Sequence, residues 1–324
     1  MWPGVSGEQF AEDSEQQGKS PEQPNRLADE GTMLLAQGGP ARRGQPEQTR
    51  QKPEPIGVAT MNADGTIVLN LHHHGAVDAD AEISYTRSDK QYKEIADHLG
   101  GLRQGEVKAV MPWSDQIQRQ DITNPTPTPK DTPAPAPAVA PSADFTTKVN
   151  DTYNALPQNV RDSLAKDGVQ VVPTDKVTDV MPELKGQKPR GWPPGSSWDD
   201  VDGAYDTTGK RIIVAQRQNS SKPYTNDVAG LTRHETGHAV DRLNNLSAQA
   251  NYTNAYTREA ANVPAADQQT LDYFLQSGDA GREETFAETF AIINGGATTT
   301  YREFLLKKDF PDTIKVVTDQ ISKL

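Results

Sequence analysis

Between residues 124 and 141 the chain reads NPTPTPKDTPAPAPAVAP, with seven prolines in eighteen positions. Each proline lacks a backbone N–H and has φ locked near −65°, so neither an α-helix nor an interior strand can run through this stretch, and extended polyproline II is what remains. A chain of 324 residues is thereby divided. Residues 119–144 read as a semi-rigid Pro-rich linker, and packed structure has to be built on either side of it. Such a run also suits polyproline-binding domains, although spacing alone accounts for it.

Upstream, residues 1–55 are rich in Gln, Glu, Pro and Gly and show no sustained apolar period. A segment of this kind cannot offset its ordering entropy by burial, so it reads as a disordered amino-terminal arm. From 56 to 118 the pattern changes. IGVATMNADGTIVLNL sets two β-rich runs around Asp64-Gly65, a hairpin signal, and SDKQYKEIADHLGGL gives a helix between a Ser cap and a Gly-Gly stop. EVKAVMPW offers a third strand. The expectation is a small β-hairpin/helix module that would be marginal alone at about 60 residues. Downstream of the linker, residues 145–324 carry the pattern of a globular domain. One helix is predicted over about 143–167, then a strand at GVQVVP, a loop rich in Gly, Pro and Trp, a strong strand at 211–216 (RIIVAQ) and mostly helix thereafter. The fold class expected is α+β, mostly helical with a small sheet.

The formal charge of −12 leaves no basic excess to release counterions, which excludes nucleic acid and anionic membrane as main partners. Cysteine is absent, so any metal has to be held by His and carboxylate. The first twenty residues lack the basic start and apolar run of a general-pathway secretion signal. No apolar run approaches the ~20 residues that span a bilayer, and a monomer is expected.

Only six histidines occur, and two of them sit in LTRHETGHAVDRL, residues 231–243. Asn226 or Asp227 offers a cap, and Val228, Leu231, Ala239 and Leu243 form an apolar stripe, so the motif belongs on a helix. On a helix His234 and His238 lie about 40° apart and can reach one ion, with Glu235 beside them. Neutral imidazoles as ligands and a carboxylate that takes a proton from an activated water are what a metal hydrolase requires. Gly237 inside this helix costs about 1 kcal/mol relative to Ala, which close approach of another segment would explain. Catalytic zinc takes a third protein ligand, and GREETFAETFAIINGG at 281–296 is the best source. There Glu284, Ala287, Glu288 and Ala291 share one helical face, giving Glu284 as ligand and Glu288 as the partner that orients a ligating histidine. Glu283 points about 100° away from Glu284.

These stretches, RHETGHAVD, then EETFAETF about 50 residues later, then FPDTIKVVTDQI, resemble the catalytic domain of anthrax lethal factor and its relatives, which include proline-specific endopeptidases of clostridia and bacilli. The resemblance covers roughly residues 145–324. It implies a zincin-like metallopeptidase domain, Zn2+ on His234, His238 and Glu284, Glu235 as general base, and a protein or peptide substrate. It also implies that the strand Arg211 to Gln216 lines the cleft and pairs with an extended substrate. The family supplies a tyrosine hydroxyl shortly before the third-ligand helix to stabilise the oxyanion. Here the loop QSGDAGR has none, and the matching place holds Ser277; Tyr273, one turn earlier, is the candidate, provided the loop folds back. By the same resemblance the chain is expected to be a bacterial toxin or secreted effector, exported without a general-pathway signal, with a cytoplasmic protein as the alternative. A rival reading from another class is a catalytically weak or inactive zinc-binding interaction protein whose Pro-rich front half recruits partners.

Three further features have plainer readings. His72, His73 and His74 lie in a β-run whose neighbours face opposite sides, so all three cannot converge, and a surface strand is expected. Asp200, Asp202 and Gly203 give a trace of a calcium loop without its later acidic residue; a turn leading to the strand at 211 is expected. Trp192 and Trp198 flank PPGSS and read as core residues, with an aromatic loop that shapes a substrate cleft as the alternative.

Overall fold

Alternation along three strands decides where everything else lies. β1 (Gly57–Met61) and β2 (Ile67–His73) form the hairpin announced by Asp64-Gly65. The Thr66 N–H donates to Asp64 Oδ1, and Gly65 takes φ of +84°, which a Cβ-bearing residue resists. β3 (Val77–Tyr85) reads VDADAEISY. Its Val77, Ala79, Ala81, Ile83 and Tyr85 are buried on one face of the sheet, and Asp78, Asp80 and Glu82 therefore point to the other. The structure, a computed structural model, describes residues 53–114, 139–218, 227–276 and 278–324. The arm read at 1–55, except for its last three residues, and the linker as far as residue 138 lie outside the described residues, as does Ser277.

The chain continues with α1 (Tyr92–His98) and β4 (Val107–Ala109), then, past the linker, α2 (Ala143–Asn154), α3 (Gln158–Lys166), β5 (Gln170–Thr174) and α4 (Val177–Val180). After β6 (Gly203–Asp206) and β7 (Arg211–Ala215) come α5 (Val228–Asn244), α6 (Ala250–Ala260), α7 (Ala265–Gln268), α8 (Ala280–Ile293), α9 (Thr300–Asp309) and α10 (Pro311–Ile321). The class is α+β. The helix predicted over 143–167 is two helices, because Pro157 can neither donate to the preceding turn nor let Leu156 stay helical.

The seven strands among the described residues form one sheet in the order β4-β1-β2-β3-β6-β7-β5, antiparallel except for the β5–β7 pair. It is larger than the small sheet expected, and residues 56–118 do not stand apart as a module. β3 pairs with β6, with Asp78 opposite Tyr205 and Asp80 opposite Gly203, so strands from both sides of the Pro-rich run share one ladder. Hairpin edges attract partners, and a 60-residue unit gains burial by joining a sheet that already has a helical layer. All described residues belong to one unit, 51–324.

Two cores flank the sheet. On one face Tyr205, Ile212 and Val214 meet Leu231, Ala239 and Val240 of α5 together with Phe286 and Phe290 of α8. On the other, Ile67, Leu69, Leu71 and Ile83 pack with Ile95 of α1 and with Trp192 and Trp198. Both tryptophans are core residues, as read from the sequence, and Trp192 Nε1 donates to the His72 carbonyl at 3.0 Å. Asp200 ends a short 3-10 turn and Asp202 directly precedes β6, so the turn leads into β6, one strand earlier than expected. No helix among the described residues is long and apolar enough to cross a membrane.

Candidate metal centre

α5 begins where Asp227 accepts hydrogen bonds from the Ala229 and Gly230 N–H groups, a cap worth about 1 kcal/mol, and ends at Asn245 in the left-handed region. α8 crosses it very closely. A Cβ on Gly237 would stand 2.7 Å from Ala287 Cα and 2.9 Å from its carbonyl oxygen, so only glycine admits the helix that carries the two glutamates. The small face of α8, Ala287 with Glu284 and Glu288, thus lies against the histidine face of α5.

The approach converges three donors. His238 Nε2 is 3.1 Å from His234 Nε2, Glu284 Oε2 is 3.2 Å from His234 Nε2, and Glu284 Oε1 is 3.6 Å from His238 Nε2. Ligand atoms around one tetrahedral zinc are roughly 3.3 Å apart, given metal–ligand bonds near 2 Å. The fit is good, and the set of imidazoles and carboxylate is one that zinc accepts. His234 Nδ1 donates to Glu288 Oε2 at 2.8 Å, which leaves the Nε2 lone pair aimed at the shared centre. Glu288 is itself fixed, since its Oε1 accepts from the Thr298 N–H and hydroxyl. Glu283 turns away from Glu284 and pairs with Arg242 at 2.9 Å.

Glu235 is wholly buried, and neither of its carboxylate oxygens has a hydrogen-bond partner among the described residues. Leaving such a group unpaired costs on the order of 1–3 kcal/mol or more, so its retention asks for an exchangeable partner at that spot. Burial, then the nearby Asp80 charge, pushes its pKa well above the carboxylate range. Gly203 makes room for it; a Cβ there would collide with the Glu235 carboxyl. His234 is pushed far above the imidazole range, because Asp80, Glu284 and Glu288 outweigh the opposing effect of burial. A cation bound among these donors would displace such protons.

Tyr273 does reach the site. Its hydroxyl lies 2.6 Å from Glu284 Oε2 and 2.5 Å from Asp80 Oδ1, and burial, then Asp80, holds the phenol well above its usual pKa, so it remains a donor. The Arg302 guanidinium sits over its ring at 5.2 Å.

Three participants lie outside the set that the sequence predicts. Asp80 of β3 brings Oδ2 to 3.4 Å from His234 Nε2 and 3.9 Å from His238 Nε2, so the donor atoms of Asp80, His234, His238 and Glu284 all lie within 4.8 Å of one another. His74 Nε2 stands 3.1 Å from Glu284 Oε1, and the Asp78 and Glu284 carboxylates, against burial, push its pKa up to about 10. His72 packs edge-on against Tyr273, and burial lowers its pKa to about 4. The surface strand read for His72–His74 is therefore wrong: residues two apart share a face, so His72 and His74 turn to the site while His73 turns to Trp198. The role read for the strand at 211–216 also changes. β7 has β5 on one edge and β6 on the other, so no edge remains for a substrate.

A sequence model of the family described as anthrax toxin lethal factor, N- and C-terminal domain, matches residues 138–320. The Pro-Pro endopeptidase of Paenibacillus alvei is 35% identical over 112 residues, 33% of this chain and 50% of the relative. The Pro-Pro endopeptidase of Clostridioides difficile is 32% identical over 111 residues, 33% of this chain and 44% of the relative. The chain thus spans about half the length of the curated relatives it matches.

Proposed function

The chain belongs to the anthrax toxin lethal factor family, and from that premise we propose that it is a zinc-dependent endopeptidase with a zincin-like catalytic domain. The observation that carries this reading is the buried Glu235 carboxyl, without a hydrogen-bond partner among the described residues, beside the converging His234, His238 and Glu284 donors. When bound, zinc supplies Lewis acidity, which polarises a peptide carbonyl and lowers the pKa of a water towards about 7. His234, His238 and Glu284 would hold it. Glu235 accepts the proton of the attacking water on its carboxylate and passes it to the departing amine, a service worth about 10²–10⁴ in rate. Glu288 keeps His234 in the ligating tautomer. Tyr273, kept protonated by burial, would turn its single hydroxyl proton from Glu284 to the developing oxyanion. Peptides containing Pro-Pro bonds are the first substrate class to try, by likeness to the relatives' names.

The test offers a peptide library rich in such bonds to the zinc-loaded full-length protein and to its Asp80→Ala variant, each with and without Glu235→Ala at equal zinc content. Cleavage by a chain that keeps Glu235, and by neither that lacks it, is the result expected. Silence from all four with zinc bound would contradict the reading and favour a zinc-binding interaction protein.

A further inference from the structure

A peptidase centre has to admit a peptide, yet this one is closed. His234 is 2% exposed, Glu235 0%, His238 1% and Glu284 1%. Two of the side chains that close it come from outside the region that matches the family, residues 138–320, because Asp80 and His74 belong to β3 and to the turn between β2 and β3. β6 pairs with β7 on one edge, and β3 covers the other over four residue pairs.

β3 is held there as an extended peptide would be. The Asp202 N–H donates to the Asp80 carbonyl at 2.8 Å, the Glu82 N–H donates to Asp202 Oδ2 at 2.6 Å, and Arg217 donates to the Glu82 carbonyl at 3.2 Å. Asp202 and Arg217 form a fully buried ion pair at 2.6 Å, so a fixed charged device within the family-matching region grips the backbone of residues 80–82. Main-chain bonds to a sheet edge are sequence-tolerant, and an extended ligand is recognised in this way. Between these grips the Asp80 side chain enters the donor set, with Oδ2 near both histidines and Oδ1 against Tyr273.

We propose that β3 is an intramolecular cap: it takes the strand position of an extended substrate on β6, and Asp80 fills the fourth ligand position that the attacking water needs, so the intact chain is latent. The proposal rests on the metal reading above. Tethering gives the cap an effective concentration on the order of millimolar, which an external peptide must outcompete for the same edge. His74, from the turn before β3, reinforces it, since its imidazole stands 3.1 Å from Glu284 Oε1. Residues 53–114 thereby acquire a purpose as an inhibitory element whose displacement exposes the centre.

The test uses the full-length chain loaded with cobalt(II), whose visible absorption reports coordination, and acetohydroxamate as a small metal-directed probe. Asp80→Ala and Asp80→Asn are compared with the parent, after thermal melts show which variants are folded. The result expected is one cobalt per chain in all three, no spectral response of the parent to millimolar hydroxamate, and binding at least tenfold tighter in the variants. Hydroxamate binding by the parent as tight as by a variant overturns the cap alone. A parent that binds hydroxamate at submillimolar concentration overturns it whatever becomes of the variants. No cobalt in the parent overturns the cap and the metal reading together. Variants that open to hydroxamate but cleave no peptide leave the cap standing and count against the peptidase.

Discussion

Replacing Gly237 by alanine sets two effects of opposite sign against each other. Within α5 alone the change is favourable, since Ala exceeds Gly in helix propensity by about 1 kcal/mol. At the α5–α8 crossing it is not. The new methyl would meet Ala287 Cα at 2.7 Å and Phe290 Cβ at 3.1 Å, whereas carbon atoms rest about 3.5–4.0 Å apart, so α8 has to retreat by about 1 Å. The obstacle is backbone, which cannot swing aside, and overpacking of this kind costs about 1–3 kcal/mol. Because one wall of the crossing is the helix that carries Glu284 and Glu288, the retreat also pulls the third donor and the His234 partner from the histidines. The expected outcome of Gly237→Ala is a net loss of about 1 kcal/mol, a melting temperature lower by roughly 2–4 °C, and zinc affinity reduced on the order of tenfold. Differential scanning calorimetry and a zinc competition titration measure these. A variant more stable than the parent, with unchanged zinc affinity, would refute the argument, because it would show that propensity governs and the crossing yields without cost.

Glu288→Ala removes the acceptor of His234 Nδ1 and leaves Thr298 without its carboxylate; zinc affinity should fall about 10–100-fold while His234 and His238 remain in place, a drop readable by the same competition titration. His72 gives a pH signature. Its folded pKa of about 4 lies below the unfolded value near 6.5, so between these the unfolded chain binds more protons; the stability from keeping it neutral is complete above about 6.5 and is lost as pH falls towards 4. About 3 kcal/mol is at stake over that window, and urea unfolding of His72→Gln should lose that much less than the parent between pH 7 and pH 4. Equal losses in the two proteins would mean that His72 titrates normally.

What the sequence reveals here follows the range of the interactions. His234, Glu235, His238, Glu284 and Glu288 are spaced by three and four residues, and helical periodicity alone places them on two faces that can meet. Gly237 even announces the closeness of the meeting. The break at Pro157 is equally local, yet the apolar pattern on both sides of it suggests one continuous helix, and that pattern misleads. Asp80 was hidden for a different reason. The run VDADAEISY alternates cleanly, so β3 itself could have been read as a strand, but alternation says only that one face is polar. Whether that face meets water or a pair of histidines depends on β3 pairing with β6, more than a hundred residues away. The same non-local pairing makes β7 an interior strand, which no property of RIIVAQ discloses. For the three histidines the period of two already separated His73 from His72 and His74; what it could not supply was the helix waiting on the other side.

The proposed chemistry requires one cation bound between α5 and α8. Anomalous diffraction recorded at the zinc edge from crystals of the zinc-loaded full-length protein tests this most directly. It should show a single strong peak within bonding reach of His234 Nε2, His238 Nε2 and a Glu284 carboxylate oxygen. A peak elsewhere, or none at full occupancy of zinc in solution, would contradict it.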